Sequence, residues 1–395
     1  MSAASPPHRL AIIVTLVAAN MLALAATDLY LPSVPYLPEI FGTSIERVQF
    51  TLAAFSAGFA VSQILFGAAG DLWNRRWILM GSLAVFVPAS FWCATATSVE
   101  SLIAARFLQG FAASASATLT APMIKPLFDE ARAVHALSVI GGIDAIIPAF
   151  APILGAWIFT AFGWEANFWV IVLAGVPILA AAILYIPNDR PESHHVSIWP
   201  VLMGFFTLLR HRVFMGYAVS HGFSLAGLLA VVFSAPTLIV EHMGGGPAEY
   251  VYVQLTWVAT FLAAANGTGF LTRRMATDNL IWLANYIQIG SALVLLGFAL
   301  LADAPHWWGL ALAGMPYCIG LGLRGGAGFS RALDAVPAYG ARASSLIIFF
   351  SMALTALGTG AVAPFLDRGL WSAGAAMLVL SLAALATLPL IRVRR

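Results

Sequence analysis

The sequence predicts an all-α membrane protein of twelve transmembrane helices in two pseudo-symmetric six-helix bundles. Three observations carry that prediction. The 395 residues are 61% hydrophobic and 9% charged, against about 45–50% and 25% in ordinary soluble chains, and the mean hydropathy is +0.90. Apolar runs with at most a single charge inside recur at the ~18–20 residues that cross hydrocarbon as a helix. A polar, proline-punctuated stretch opens the segment 187–212 and divides those runs six and six.

The first run, 10–31, follows MSAASPPHRL. It is longer than the apolar region of a secretory signal and eleven more runs follow, so it is expected to be a retained span. Spans at 48–69, 77–96, 101–121, 135–160 and 166–186 complete an N-terminal bundle, residues 1–186. The linker 187–212, PNDRPESHHVSIWPVLMGFFTLLRHR, is amphipathic from about Trp199 to Leu209. Spans at 213–240, 249–270, 280–301, 307–329, 342–365 and 371–391 form a C-terminal bundle, residues 213–395. Helices are expected because the alternating segments of a lipid-facing barrel are absent.

Basic residues test the count, since Lys and Arg near span ends favour the cytoplasmic side. With both termini cytoplasmic, that side holds Arg9, Arg75, Arg76, Lys125, Arg132, Arg190, Arg210, Arg212, Arg273, Arg274, Arg331, Arg342, Arg392, Arg394 and Arg395, fifteen of the nineteen. Arg47 and Arg368 fall outside, while Arg106 and Arg324 lie within spans. One helix more or fewer in the middle would scramble this pattern.

The net charge of +2 is spread along membrane edges, so no nucleic-acid partner is expected. Cys93 and Cys318 stand 225 residues apart in apolar runs and read as packing residues, without metal-ligand spacing. Phosphate-loop and zinc-helix motifs are missing, so neither a cofactor nor a metal is expected. No catalytic triad or soluble signalling domain argues for an enzyme or a sensor.

The loop after the second span reads FGAAGDLWNRRWILM, concentrating Asp71, Arg75 and Arg76 between uncharged stretches. Gly67-x-x-x-Asp71-x-x-Asn74-Arg75-Arg76 resembles the loop signature of the major facilitator superfamily, with Asn74 in place of the usual glycine. Asparagine is one of the few residues that tolerate a left-handed turn, which is the expectation here. The resemblance implies a conformational latch in which Asp71 meets helix ends of the opposite half and the arginines anchor to the inner surface. A second paired arginine in NGTGFLTRRMATDNLIWL, 266–283, echoes it, as expected of repeated halves.

Further stretches narrow the resemblance to the Bcr/CflA drug-resistance group. DLYLP at Asp28–Pro32, followed by Pro35, is similar to its first-span signature. RFLQGFAASA, Arg106–Ala115, resembles the fourth-span motif linked to proton coupling, and so brings in Gln109 and Gly110. APILGA, Ala151–Ala156, is similar to the antiporter motif, with Pro152 and Gly155 matching and Ala156 replacing its second glycine. RALDAVPAYGARASSL, 331–346, resembles the loop and eleventh span of the same group.

Three charges inside spans are candidates for proton coupling: Asp28, Arg106 and Asp144. An intramembrane carboxylate costs on the order of 2.5–3.5 kcal/mol on insertion scales and marks ion or proton paths. A carboxyl whose solvation alternates between two open states can load a proton on one side and shed it on the other. Arg106 needs a partner: Asp28 or Asp144 could supply it, or the guanidinium could brace the first and fourth helices through backbone carbonyls. Asp144 could equally carry a proton or discriminate substrates. Arg324 could face the cavity or brace helices.

For substrate contact the candidates are Met21, Leu24, Tyr30, Phe55, Phe59, Tyr217 and His221. Helical spacing puts Phe55 and Phe59 on one face, and Met21, Leu24 and Asp28 near another. Gly67, Asp71, Arg75, Arg76, Gln109, Gly110, Pro152 and Gly155 are candidates for gating, because small and bending residues let helices approach and flex.

The resemblance implies a proton-coupled antiporter of the bacterial inner membrane, working as a monomer with a small-molecule substrate, protons and the lipid bilayer as partners. It would export small amphipathic drugs, phenicol-like or multidrug, by alternating access. Export of an ordinary metabolite (amino acid, sugar or nucleoside) stays open, and so does proton-coupled import, which the antiporter-like stretch disfavours.

Overall fold

The structure, a computed structural model, describes residues 6–188, 198–302 and 304–391. Fourteen α-helices follow one another among them, with no strand. The first half holds α1 (Pro6–Asp28), α2 (Leu37–Phe41), α3 (Ile45–Leu72), α4 (Arg75–Ala94), α5 (Val99–Ile124), α6 (Glu130–Phe162) and α7 (Glu165–Tyr185). Then come α8 (Ile198–Arg210), α9 (Arg212–His242), α10 (Pro247–Thr272), α11 (Thr277–Leu301), α12 (Trp307–Asp334), α13 (Gly340–Val362) and α14 (Trp371–Thr387). All but α2 and α8 occupy the positions of the twelve expected spans.

Ten of these segments are long and apolar enough to cross a membrane on their own; α10 and α12 fall short. Their polar groups are used against each other. Trp257 Nε1 of α10 donates to the Ala311 carbonyl of α12 at 2.9 Å, and Thr268 Oγ1 donates to the Gly322 carbonyl at 3.4 Å. Gly322 also lies directly against the Phe261 backbone. Paired in this way, both helices hide polar atoms that neither could expose to lipid alone.

The packing repeats between halves. α5 packs on α3 and α4, and α7 on α4; correspondingly α12 packs on α10 and α11, and α14 on α11. Across the halves α3 meets α13 and α6 meets α10, two pairs that exchange when the halves are swapped. That is the pseudo-symmetry of two six-helix bundles.

The ends of the molecule differ. At the end where α1 and α9 finish, Tyr30, Leu31, Val34 and Leu52 share one buried cluster with Phe233, Leu238, Tyr250 and Leu366 of the other half. Gln49 Nε2 donates to the Phe233 carbonyl at 3.0 Å, tying α3 to α9. At the opposite end, where α1 begins, a cavity of about 600 Å³ opens between Gln63, Thr118 and Lys125 of the first half and Phe329, Ser345 and Ile348 of the second.

Candidate functional site

In TDLYLPSVP Pro32 has no N–H to donate to the carbonyl of Asp28, so the α-helical pattern cannot run on past Asp28. The helix ends at Asp28 and a 3-10 segment runs from Leu31 to Tyr36. A helix end leaves carbonyls without intrahelical donors and carries partial negative charge. Arg106 of α5 reaches that end: Nη1 donates to the Ala26 carbonyl at 3.0 Å, and Nη2 to Thr27 Oγ1 at 3.1 Å.

The guanidinium is fully buried. Phe55, Tyr30 and Phe168 surround it, with ring centroids 4.3, 5.1 and 5.8 Å from Cζ. Cation–π attraction strengthens when the site is desolvated, so this box replaces part of the lost hydration. Gln109 Oε1 accepts from Nη1 at 2.6 Å, and Gln109 Nε2 donates to Ser90 Oγ of α4 at 2.9 Å. Arg106 therefore joins α1, α4 and α5.

Asp28 follows directly on the two residues that Arg106 holds. It is partly buried, and among the described residues it makes neither a hydrogen bond nor an ion pair within 4 Å. Tyr250 of α10 lies within electrostatic reach of it, with a buried hydroxyl that has no hydrogen-bond partner among the described residues. Asp144 lies elsewhere: Asn20 Nδ2 donates to its Oδ1 at 2.8 Å, joining α1 to α6. Of the two acids open as partners for Arg106, neither contacts the guanidinium; aromatic rings, an amide, a hydroxyl and a carbonyl do.

The other candidates divide into groups. Met21, Leu24, Phe55 and Phe59 come together with Ile348 and Met352 of α13 in one apolar cluster, the Phe55 and Phe59 rings 6.3 Å apart. This collar lies along α3 beyond Gln63, the cavity residue to which Thr118 donates at 2.5 Å. Tyr30 is wholly buried, its hydroxyl 3.0 Å from Thr51 Oγ1. Tyr217 is near the open end, donating to Asp278 Oδ1 at 2.7 Å. His221, one turn along α9, has a buried Nδ1 with no hydrogen-bond partner among the described residues.

Several glycines mark close approaches. A side chain at Gly110 would strike the Phe55 carbonyl, one at Gly155 the Leu29 carbonyl just past Asp28, and one at Gly67 the Ser345 side chain of α13. Pro152 is buried in α6. In the loop, Asn74 is not left-handed: at φ −62° and ψ 115° it caps α4, its side chain accepting from the Arg76 amide at 3.0 Å. A capping side chain supplies what the usual glycine cannot. Arg75, which lines the cavity, donates to the Gly70 carbonyl at 3.2 Å, and Arg76 Nη2 to the Ile183 carbonyl at 2.7 Å. The Asp71 side chain lies outside the described residues.

The second half holds a counterpart in Arg324, for which the sequence left facing the cavity or bracing open. Arg324 of α12 is buried and donates to Ser220 Oγ at 2.7 Å and Ser224 Oγ at 2.5 Å, both on α9. It braces α12 to α9 as Arg106 braces α5 to α1. Ser220 and Ser224 escaped notice because a lone serine in an apolar helix carries no signal. Tyr250 escaped because a tyrosine there resembles core packing.

The profile of the Major Facilitator Superfamily matches residues 16–359. The chain is 27% identical over 246 residues to "Multidrug resistance protein MdtL" of Escherichia coli, a match covering 62% of each chain. It is 28% identical over 299 residues to "Bicyclomycin resistance protein homolog" of Haemophilus influenzae, covering 75% of this chain and 74% of that one. Among solved structures, a POT family transporter in complex with 5-aminolevulinic acid superposes with a TM-score of 0.76 at 11% identity, over 96% of both chains. The human organic anion transporter MFSD10 (TETRAN) gives 0.68 at 16% identity, over 98% of this chain and 100% of that one.

Proposed function

From the premise that this chain belongs to the major facilitator superfamily, membrane transporters and not enzymes, we propose that it is a proton-coupled antiporter exporting small amphipathic drugs by alternating access. The relatives named for multidrug and bicyclomycin resistance support the drug class. The observation that carries the coupling is Arg106 gripping the end of α1 beside Asp28. A proton on Asp28 changes the charge next to a fixed guanidinium. The strength with which α1 holds α5 and, through Tyr250, the strength with which it meets α10 then follow protonation.

The conformation suits one stage of such a cycle. The end at Asp28 is sealed by the shared cluster and the opposite end holds the cavity. The collar of Phe55, Phe59, Leu24 and Met352 separates Gln63 from Asp28. Substrate enters the cavity from the side of the basic loops, taken as the cytoplasm of a bacterial inner-membrane protein with both termini inside. The collar then opens as the sealed end parts, and the carboxyl exchanges its proton across it. The division into bundles 1–186 and 213–395, joined through 187–212, supplies the two rocking bodies. Met21, Leu24, Phe55 and Phe59 would touch the substrate; Tyr30 and Tyr217 would act through their hydrogen bonds.

Proteoliposomes with a trapped pH dye test the direction. Adding a phenicol or a lipophilic cation should move protons opposite to the substrate. Co-directional movement identifies an importer, and turnover of an ordinary metabolite alone identifies a metabolite exporter.

A further inference from the structure

Helix α8 is apolar on two opposite sides. Val201, Phe205 and Leu208 are buried against Ile64 and Ala68 of α3 and against Ala343, Leu346 and Ile347 of α13. Leu202, Met203, Phe206 and Leu209, on the other side, are each more than 40% exposed. A water-facing helix of this kind would show a polar outer face, whereas α8 has only Thr207 and its terminal Arg210 as polar side chains from Trp199 onward. Contiguous exposed apolar surface marks a membrane or partner contact. Here it continues from spanning helices, since only His211 separates α8 from α9.

The charge agrees. Arg210 and Arg212 are exposed where α8 meets α9, Arg210 lying over the Phe206 ring at 4.1 Å. No acidic residue occurs between Trp199 and Val240. The inner side of α8 sits at a junction: Phe205 approaches Gly67, which itself lies against Ser345, so one side chain touches the meeting point of the two halves beside the cavity.

We propose that α8 is seated in the lipid leaflet at this end of the molecule. Acyl chains cover Leu202, Met203, Phe206 and Leu209, and anionic phospholipid headgroups neutralise Arg210 and Arg212. The seated helix straps α3 to α13, so the lipid composition biases how readily the halves part. Interfacial helices combine an apolar face with basic residues for this purpose.

The test uses the full chain in lipid nanodiscs and reads neither transport nor protons, so it stands or falls apart from the function above. Cys93 and Cys318 are buried, and a nitroxide attached in Phe206→Cys or Leu209→Cys reports locally. The label should be reached by oxygen and shielded from a nickel chelate, as in a Leu173→Cys control on the exposed side of α7. Chelate access equal to an Asp367→Cys loop control overturns the proposal. Phosphatidylglycerol should also raise the melting midpoint relative to phosphatidylcholine discs. The half-saturating fraction should rise about 5-fold for each of Arg210→Gln and Arg212→Gln. An unchanged lipid response in the double variant, or the same rise from inorganic phosphate in phosphatidylcholine discs, contradicts headgroup binding.

Discussion

Arg106 donates through Nη1 to the Ala26 carbonyl at 3.0 Å, which places a permanent positive charge at the end of the first helix, two residues before Asp28. The contact is an arginine's: one nitrogen serves Ala26 and Gln109 while the other serves Thr27. Lysine cannot reproduce that fork. Arg106→Lys should insert and fold but lose transport by roughly 10-fold or more, the cost of one charge-assisted hydrogen bond at ~1.5–3 kcal/mol. Flux in vesicles, normalised to protein content, checks it; near-normal flux would show that a point charge suffices.

The Gln49 bond to the Phe233 carbonyl ties the sealed end. Gln49→Ala should remove about 1 kcal/mol from that closure and shift the population several-fold toward the state open at that end. Spin labels at Ile40→Cys and Asp367→Cys, both exposed, would report the longer distance. An unchanged distance distribution would mean that the apolar cluster alone decides closure.

Gly155 meets the Leu29 carbonyl and Gly110 the Phe55 carbonyl, backbone neighbours that cannot rotate away. Gly155→Val and Gly110→Val should each cost about 1–3 kcal/mol by overpacking, with lower melting midpoints and impaired transport. At Gly141, which has no neighbour within 4 Å, the same change should leave the midpoint nearly unchanged. Equal effects at all three sites would assign the loss to helix propensity instead of close approach.

Asp144 accepts from Asn20 at 2.8 Å and stands apart from Arg106. Asp144→Asn keeps an acceptor for that bond, so stability and the number of protons per substrate should be unchanged, while Asp144→Leu strands the Asn20 amide and should destabilise by ~1–3 kcal/mol. Stoichiometry from reversal potentials decides; a lower proton count in Asp144→Asn would make Asp144 a second carrier.

The architecture was legible because lipid imposes length and apolarity on every span, and lone charges such as Asp28 and Arg106 stand out against it. Even α10 and α12, less apolar than the other ten, were legible as windows bounded by charges and Gly/Pro clusters, and the basic residues fitted the count. What each charge touches was not legible. The sequence left Arg106 either an acid or backbone carbonyls as partner, and the acceptors prove to be atoms without sequence identity, a helix-end carbonyl and neighbouring polar groups. Asn74 reads in the sequence as a left-handed turn, and the fold instead uses its side chain to cap α4. Tyr250 and Gln49 stayed hidden because their importance lies in facing the other half, a relation between helices distant in sequence.

Exchange in everted vesicles containing Asp28→Asn, with substrate efflux and proton movement recorded together, tests the central claim most directly. Substrate-driven proton movement should disappear while binding in the cavity persists. Exchange of substrate for protons at the wild-type rate would contradict the account.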